Sequence, residues 1–174
     1  MARGASEAAG GWRPLGMVWN ALAMQYKLGF QSSSDHGSTH ISFAVAIAEA
    51  PTRAAIFDAF KKRHCYAATD NIVLDVRSGD HLMGEEFTAS GPVTLKVSAV
   101  GTGPIRRVAI IRNFVYVYTT EPKSDRVNFT WTDDNPDMNN TVSWYYVRVE
   151  QEDGELAWGS PMWVHFPQAR AASR

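Results

Sequence analysis

Apolar and polar residues alternate with a period of two along this chain after residue 66. The alternation is clearest over 72–76, 93–99 and 127–131, and further apolar stretches follow at 105–112, 114–120, 142–150 and 161–165. Turn-forming residues separate these segments at 78–80, 90–92, 101–104, 133–140 and 152–154. Roughly seven short strands at this spacing are typical of two packed antiparallel sheets. The pattern therefore predicts an immunoglobulin-like β-sandwich whose core includes Leu95, Val97, Phe129, Trp131 and Val147.

Before residue 66 the apolar spacing is helical. Apolar residues recur every three or four positions over 17–28, and Gly29 stands where a helix would end. A second helix is predicted over 52–63, because Thr52 can cap its first turn and the basic residues 61–64 suit the negative end of a helix dipole. Short apolar stretches at 28–31 and 41–47 predict strands next to these helices.

Composition narrows the range of partners. The 174 residues carry a formal net charge of −1, so we expect neither nucleic acid nor an anionic membrane as a partner. No run of eighteen apolar residues is present and residues 1–11 lack the apolar stretch of a signal peptide, so we expect a soluble chain and leave its compartment open. The single cysteine, Cys65, excludes an internal disulfide and a cysteine-based zinc cluster.

One segment carries residues suited to chemistry. Residues 32–40 hold one carboxylate, Asp35, and two imidazoles, His36 and His40, directly after a predicted strand. Carboxylates and imidazoles bind divalent metals, and β/α barrels place such ligands where strands end. The same composition also fits a serine-rich surface loop, and on composition alone that second interpretation is favoured.

The residues around this segment resemble a known superfamily. Residues 26–36, Tyr-Lys-Leu-Gly-Phe-Gln-Ser-Ser-Ser-Asp-His, resemble the last metal-binding motif of the PHP superfamily, named for polymerase and histidinol phosphatase. Segments 29–42, 52–69, 72–87 and 145–164 resemble the C-terminal region of a bacterial PHP-related family known as a domain of unknown function. The resemblance extends over nearly the whole chain after the first dozen residues.

That resemblance implies a metal-dependent hydrolase acting on a small-molecule phosphoester or related ester. Its fold would be a distorted β/α barrel that holds two or three Zn, Mn or Fe ions and uses a metal-bound hydroxide. Asp35 would be a metal ligand. The superfamily spacing is Asp-x-His, but Gly37 occupies the histidine position here, so His36 or His40 would take that role.

The resemblance also implies an incomplete site. The superfamily has an upstream His-x-His motif, whereas the five histidines here are isolated at 36, 40, 64, 81 and 165. The predicted fold class is therefore α+β. Residues 1–66 would be the C-terminal remnant of a β/α barrel, 67–167 an immunoglobulin-like β-sandwich and 168–174 a tail. Alone, the chain would be inactive.

Two further interpretations follow from the same residues. The chain could be a noncatalytic binding or scaffolding sandwich, or a carbohydrate-binding module, which would need several coplanar, exposed aromatic rings on one sheet face.

The barrel-remnant interpretation also predicts self-association. The helices predicted at 17–28 and 52–63 would have apolar faces shaped to cover barrel strands. Where those strands are missing, the faces would be partly exposed and favour self-association.

Overall fold

The computed structural model describes residues 16–34, 40–136 and 141–167. Within them lie two helices, α1 (Val18–Ala23) and α2 (Arg53–Lys61). The first six strands are β1 (Phe43–Ala46), β2 (Cys65–Ala68), β3 (Val73–Ser78), β4 (His81–Leu82), β5 (Glu86–Thr88) and β6 (Val93–Arg112). The remaining strands are β7 (Val115–Thr120), β8 (Ser124–Asp133), β9 (Val142–Gln151), β10 (Leu156–Gly159) and β11 (Met162–His165).

All eleven strands belong to one curled sheet. Its main path runs β1-β2-β10-β9-β6-β3-β4. The 20-residue strand β6 organises it, because its first half pairs with β3 and β8 while its second half pairs with β9 and β7. The pairing is antiparallel except between β11 and β5, which run parallel. A strand that changes neighbours halfway along its length makes the sheet curl around its own apolar face.

The predicted fold class is wrong. A β/α barrel requires parallel strands alternating with helices, yet β1 and β2 are antiparallel and join β10 in the common sheet. A sandwich requires two separate sheets, whereas one sheet contains every described strand. Strand β2 also spans residues on both sides of the predicted domain boundary at 66–67. The predicted tail, 168–174, lies outside the described residues.

The predicted core residues nevertheless face the concave side of this sheet. Leu95, Val97 and Val147 are fully buried in the main apolar cluster, and Phe129 and Trp131 are half-buried against it. Strand alternation therefore predicted which residues turn inward, although it did not predict how the strands associate.

The two predicted helices differ in outcome. Thr52 caps α2 by accepting a hydrogen bond from the Ala55 amide at 3.2 Å, which confirms the predicted start of this helix. The helix predicted over 17–28 ends early, since α1 contains six residues and Gln25 follows in a left-handed conformation with φ of 64°. In the described ranges, no helix is long and apolar enough to cross a membrane.

A second apolar cluster lies on the convex side of the sheet. Its buried members are Leu22, Ala109, Ile111, Trp144, Tyr146 and Trp163. Leu22 of α1 and the half-buried Phe30 pack onto these strands, so α1 and the extended segment that follows it cover the sheet from outside. This cover places the residues before Asp35 against the sheet.

Candidate functional site

The chain on both sides of residues 35–39 is fixed by hydrogen bonds. The Ser34 hydroxyl donates to the Ser42 carbonyl at 2.9 Å and accepts from the Ile41 and Ser42 amides at 3.2 and 2.9 Å. Ser34 and Ser42 are therefore held together, so the described residues on the two sides of 35–39 are fixed to each other. A loop with a fixed base loses less conformational entropy when its side chains bind a common ligand.

The segment leading into this loop is anchored along its length. The Phe30 amide donates to the Ser160 hydroxyl at 2.8 Å. The Ser32 hydroxyl lies 2.9 Å from the Phe43 carbonyl oxygen and accepts from the Ala68 amide at 3.2 Å. Serine hydroxyls therefore hold residues 30 and 32 on the sheet, although the segment 26–34 forms no strand of it.

Of the three predicted metal ligands, Asp35 and His36 lie outside the described residues. His40 is described, exposed, and three residues before β1. Among residues 16–34, 40–136 and 141–167 there is no group of three His, Cys, Asp or Glu side chains that could hold a metal ion. One carboxylate and two imidazoles suit a divalent metal, but further ligands would have to come from elsewhere.

A carboxylate bridge joins two histidines on another part of the surface. Glu85 lies 3.2 Å from His64 Nε2 and 2.9 Å from His81 Nδ1, one carboxylate oxygen facing each ring. The His81 ring also stacks on Phe87, with centroids 4.1 Å apart. The sequence places His64 at the predicted C-terminal end of a helix, and nothing in it indicates that Glu85 brings His64 and His81 together.

The neighbouring Glu86 forms a second bridge. Its carboxylate contacts Lys27 Nζ and lies 2.5 Å from His165 Nε2. Hydrogen bonds from Lys27 and then His165 hold the pKa of Glu86 below its usual value. This bridge fixes the start of the 26–34 segment to β5 and β11, and so gives that segment a third anchor.

The Glu85 bridge predicts a specific loss of stability in acid. Burial raises the pKa of Glu85, but hydrogen bonds from His81 and from the backbone at Leu82, with the charges of His64 and His81, together lower it by more, so that its pKa falls below the usual 4.5. A lowered folded-state pKa contributes stability that is present above the unfolded pKa and is lost as pH falls through the folded value. We expect Glu85→Gln to destabilise the protein at pH 7 and the difference from wild type to shrink below pH 4.5.

Urea unfolding at pH 7, 5, 4 and 3 measures this effect. The matched control is Glu152→Gln, because Glu152 is exposed on a turn. The quantity compared is the free energy of unfolding of wild type minus that of Glu85→Gln. If this difference stays constant from pH 7 to pH 3, the bridge adds no pH-dependent stability.

The aromatic residues of the convex face pack edge to face. Trp19 and Phe114 meet at 72° and Phe114 and Trp144 at 86°, while the Trp19 indole donates to the Tyr146 hydroxyl at 2.8 Å. The near-parallel pair, Trp144 and Tyr146, is buried. A flat sugar-binding platform needs exposed coplanar rings, and this cluster instead has the geometry of packed aromatic side chains.

Comparisons with known proteins place the chain beside uncharacterized bacterial proteins. It is 33% identical over 129 residues to an uncharacterized protein of Chlamydia pneumoniae, a match that covers 65% of this chain and 21% of that protein. It is 26% and 25% identical over 180 residues to uncharacterized proteins of Chlamydia trachomatis and Chlamydia muridarum, covering 87% of this chain and 29% of each. The chain thus spans less than a third of the length of the curated relatives it matches.

No family model matches the chain. No solved structure matches it either.

Proposed function

We propose that this chain is the noncatalytic β-sheet part of a metal-dependent hydrolase and that it presents one metal-binding loop to the active site. Asp35 would be a ligand together with His36 or His40. The chemistry that such a site supplies is activation of a water molecule and polarisation of a phosphoester or related ester oxygen. The role of the sheet is to hold the loop in a fixed position.

The observation that supports this proposal is the set of hydrogen bonds that joins Ser34 to the chain after residues 35–39. Three hydrogen bonds join the Ser34 hydroxyl to residues 41 and 42, so the two ends of the ligand-bearing segment are fixed to each other. A solvated serine-rich surface loop needs no such base. Metal ligands do need it, because groups that support the ligands from behind keep them in the orientation that binding requires.

The number of ligands argues that the site is completed by other residues. Asp35, His36 and His40 offer at most three ligands from one loop, and the described residues contain no group of three further candidate ligands. Multinuclear hydrolytic sites take ligands from several strands. The matched relatives are long enough to supply such strands, since this segment corresponds to 21–29% of their length.

Hydrolysis assays on the full-length Chlamydia trachomatis relative test the proposal. We expect it to hydrolyse p-nitrophenyl phosphate or bis(p-nitrophenyl) phosphate with Mn²⁺, Zn²⁺ or Fe²⁺, and to lose at least about a hundredfold in rate when the segment matching this chain is removed. The isolated 174 residues should show no appreciable activity.

Two outcomes would contradict the proposal. Efficient metal-dependent hydrolysis by this chain alone would show that the site is complete within it. Undiminished hydrolysis by the relative without its matching segment would show that the loop contributes no ligand.

A further inference from the structure

Strand β1 lies at one end of the sheet and has one unpaired side within the described ranges. It pairs with β2 and with no other strand described in the structure. The Ile47 amide donates to the His64 carbonyl at 2.8 Å, so residues 47 and 64 form a hydrogen-bonded pair of the antiparallel ladder. Such pairs alternate along a ladder, and Val45 therefore also directs its backbone groups toward β2. The backbone groups of Ala44 and Ala46 consequently face away from β2.

The opposite side of β2 agrees with this alternation. The Thr69 amide donates to the Leu156 carbonyl at 2.9 Å, so the odd-numbered residues of β2 direct their backbone groups toward β10. The even-numbered residues of β2 then face β1. Two N–H donors and two C=O acceptors, from Ala44 and Ala46, are thus available to a further strand.

An apolar groove opens beside this edge. It has a volume of about 740 Å³ and lies between β1, α2 and the start of β3. Its apolar lining includes Ile56 and Phe60 of α2, together with Ile72 and Val73 at the start of β3. Ile56 and Val73 are 40% and 58% exposed, so part of this apolar lining is open to solvent. An unpaired strand edge next to such a groove is the arrangement that binds extended peptides by strand addition.

The charges of the groove indicate which peptide fits. Its charged lining residues are Glu49 and Asp70, both acidic. Glu49 follows the end of β1 and Asp70 precedes β3, so the two carboxylates stand at the borders of the apolar surface. A peptide with Lys or Arg at its ends would complement them, while an acidic peptide would be repelled.

We propose that the β1 edge and this groove bind an extended strand of a separate polypeptide, with apolar residues at alternate positions and a basic residue at each end. The strand pairs with Ala44 and Ala46 and directs its apolar side chains toward Ile56, Phe60 and Val73. This site involves neither Asp35 nor His36, so it stands or falls independently of the metal-binding loop.

Fluorescence polarisation with a defined probe tests this interaction. The probe is a labelled, acetylated and amidated peptide, Lys-Val-Thr-Val-Thr-Val-Lys, and the comparison probe replaces both lysines with glutamate. We expect the basic peptide to bind and a version with N-methylated central amides to lose at least about tenfold in affinity, because it lacks the N–H donors that strand addition uses.

Variants of the protein, used with the unchanged peptides, test the same strand edge. Ala46→Pro removes an N–H that faces away from β2, and an edge position tolerates proline, so the sheet should remain folded while peptide affinity falls at least about tenfold. Ala46→Thr keeps the N–H and is the matched control, with affinity close to wild type. Glu49→Lys should lower the affinity for the basic peptide by about fivefold and raise the affinity for the acidic peptide. Far-ultraviolet circular dichroism of each variant confirms folding.

Four results would overturn the proposal. The first three are no binding of the basic peptide up to about 1 mM, equal binding of the acidic peptide, and undiminished binding of the N-methylated peptide. The fourth is a wild-type dimer in sedimentation experiments that Ala46→Pro converts to a monomer and that the peptide does not dissociate. The last would assign the edge to a second copy of this chain.

Discussion

Replacing Asp133 with alanine is expected to lower the free energy of unfolding by about 3 to 5 kcal/mol. Asp133 lies at the buried end of β8 and faces Arg112 at 2.5 Å and the Tyr145 hydroxyl at 2.9 Å. Alanine would leave a largely buried guanidinium without its counter-ion and a fully buried phenol without its acceptor. Burial, and then the charge of Asp133, raise the pKa of Tyr145, so the phenol remains a neutral donor at all ordinary pH values.

The adjacent residue provides the control for this substitution. Asp134 is exposed, so Asp134→Ala removes the same charge from the same turn and should change stability by less than about 0.5 kcal/mol. Urea unfolding of both variants at pH 7 measures the difference. A loss of under about 1 kcal/mol for Asp133→Ala would show that the Arg112–Asp133–Tyr145 network contributes little to the sheet.

Replacing Gly84 with alanine is expected to cost about 3 to 5 kcal/mol. Gly84 has a φ of +93°, a conformation that side-chain-bearing residues rarely adopt. An added Cβ would lie 2.0 Å from the Arg63 carbonyl oxygen, and this oxygen belongs to the backbone and cannot rotate away. The Arg63 side chain also donates to the Gly84 carbonyl at 2.9 Å, so the two segments would have to separate.

The same substitution at Gly79 distinguishes the loss of stability caused by a steric clash from the loss caused by an unfavourable backbone conformation. Gly79 also has a positive φ, +58°, but no atom lies within 4 Å of the position where its Cβ would be. Gly79→Ala should therefore cost only the backbone term, about 1 to 2 kcal/mol. Thermal unfolding of the two variants tests the comparison, and equal losses would mean that the contact between Gly84 and Arg63 is not tight.

Period-two alternation predicted the strands well because one face of a strand is buried and every second residue lies on it. The prediction of a turn was wrong at residues 101–104, where Gly-Thr-Gly-Pro indicated a turn between two strands. In the structure these residues lie inside β6, and its pairing register with β8 shifts between Val100 and Ile105. The buried Gln151 stabilises the irregularity by accepting from the Thr102 amide at 2.9 Å and donating to the Thr102 hydroxyl at 3.1 Å. Hydrogen bonds with Gln151, 49 residues away from Thr102, thus hold residues 101–104 as an irregular part of one strand and not as a turn between two strands.

The candidate sites also divide into those that local sequence indicates and those that only the fold creates. Asp35, His36 and His40 were predicted as metal ligands because they are close in sequence. The bridges at Glu85 and Glu86 could not be found in this way. The pairing of β5 with β11 brings Glu86 and His165 together, and Lys27 reaches them from the separate segment 26–34. The unpaired side that β1 has among the described strands also depends on the complete strand order, which local patterns do not contain.

Calorimetric titration of Zn²⁺ and Mn²⁺ into this chain tests the central claim most directly. We predict weak binding, with a dissociation constant of about 10 μM to 1 mM, because at most three ligands come from one loop. Asp35→Ala should abolish it while leaving thermal unfolding of the sheet unchanged, and single replacements of His36 and His40 should identify which imidazole is the ligand. The control Asp125→Ala removes an exposed carboxylate of β8 and should bind metal as the wild type does. Metal affinity that persists when Asp35, His36 and His40 are all replaced by alanine would contradict the account and leave residues 32–40 as a serine-rich surface loop.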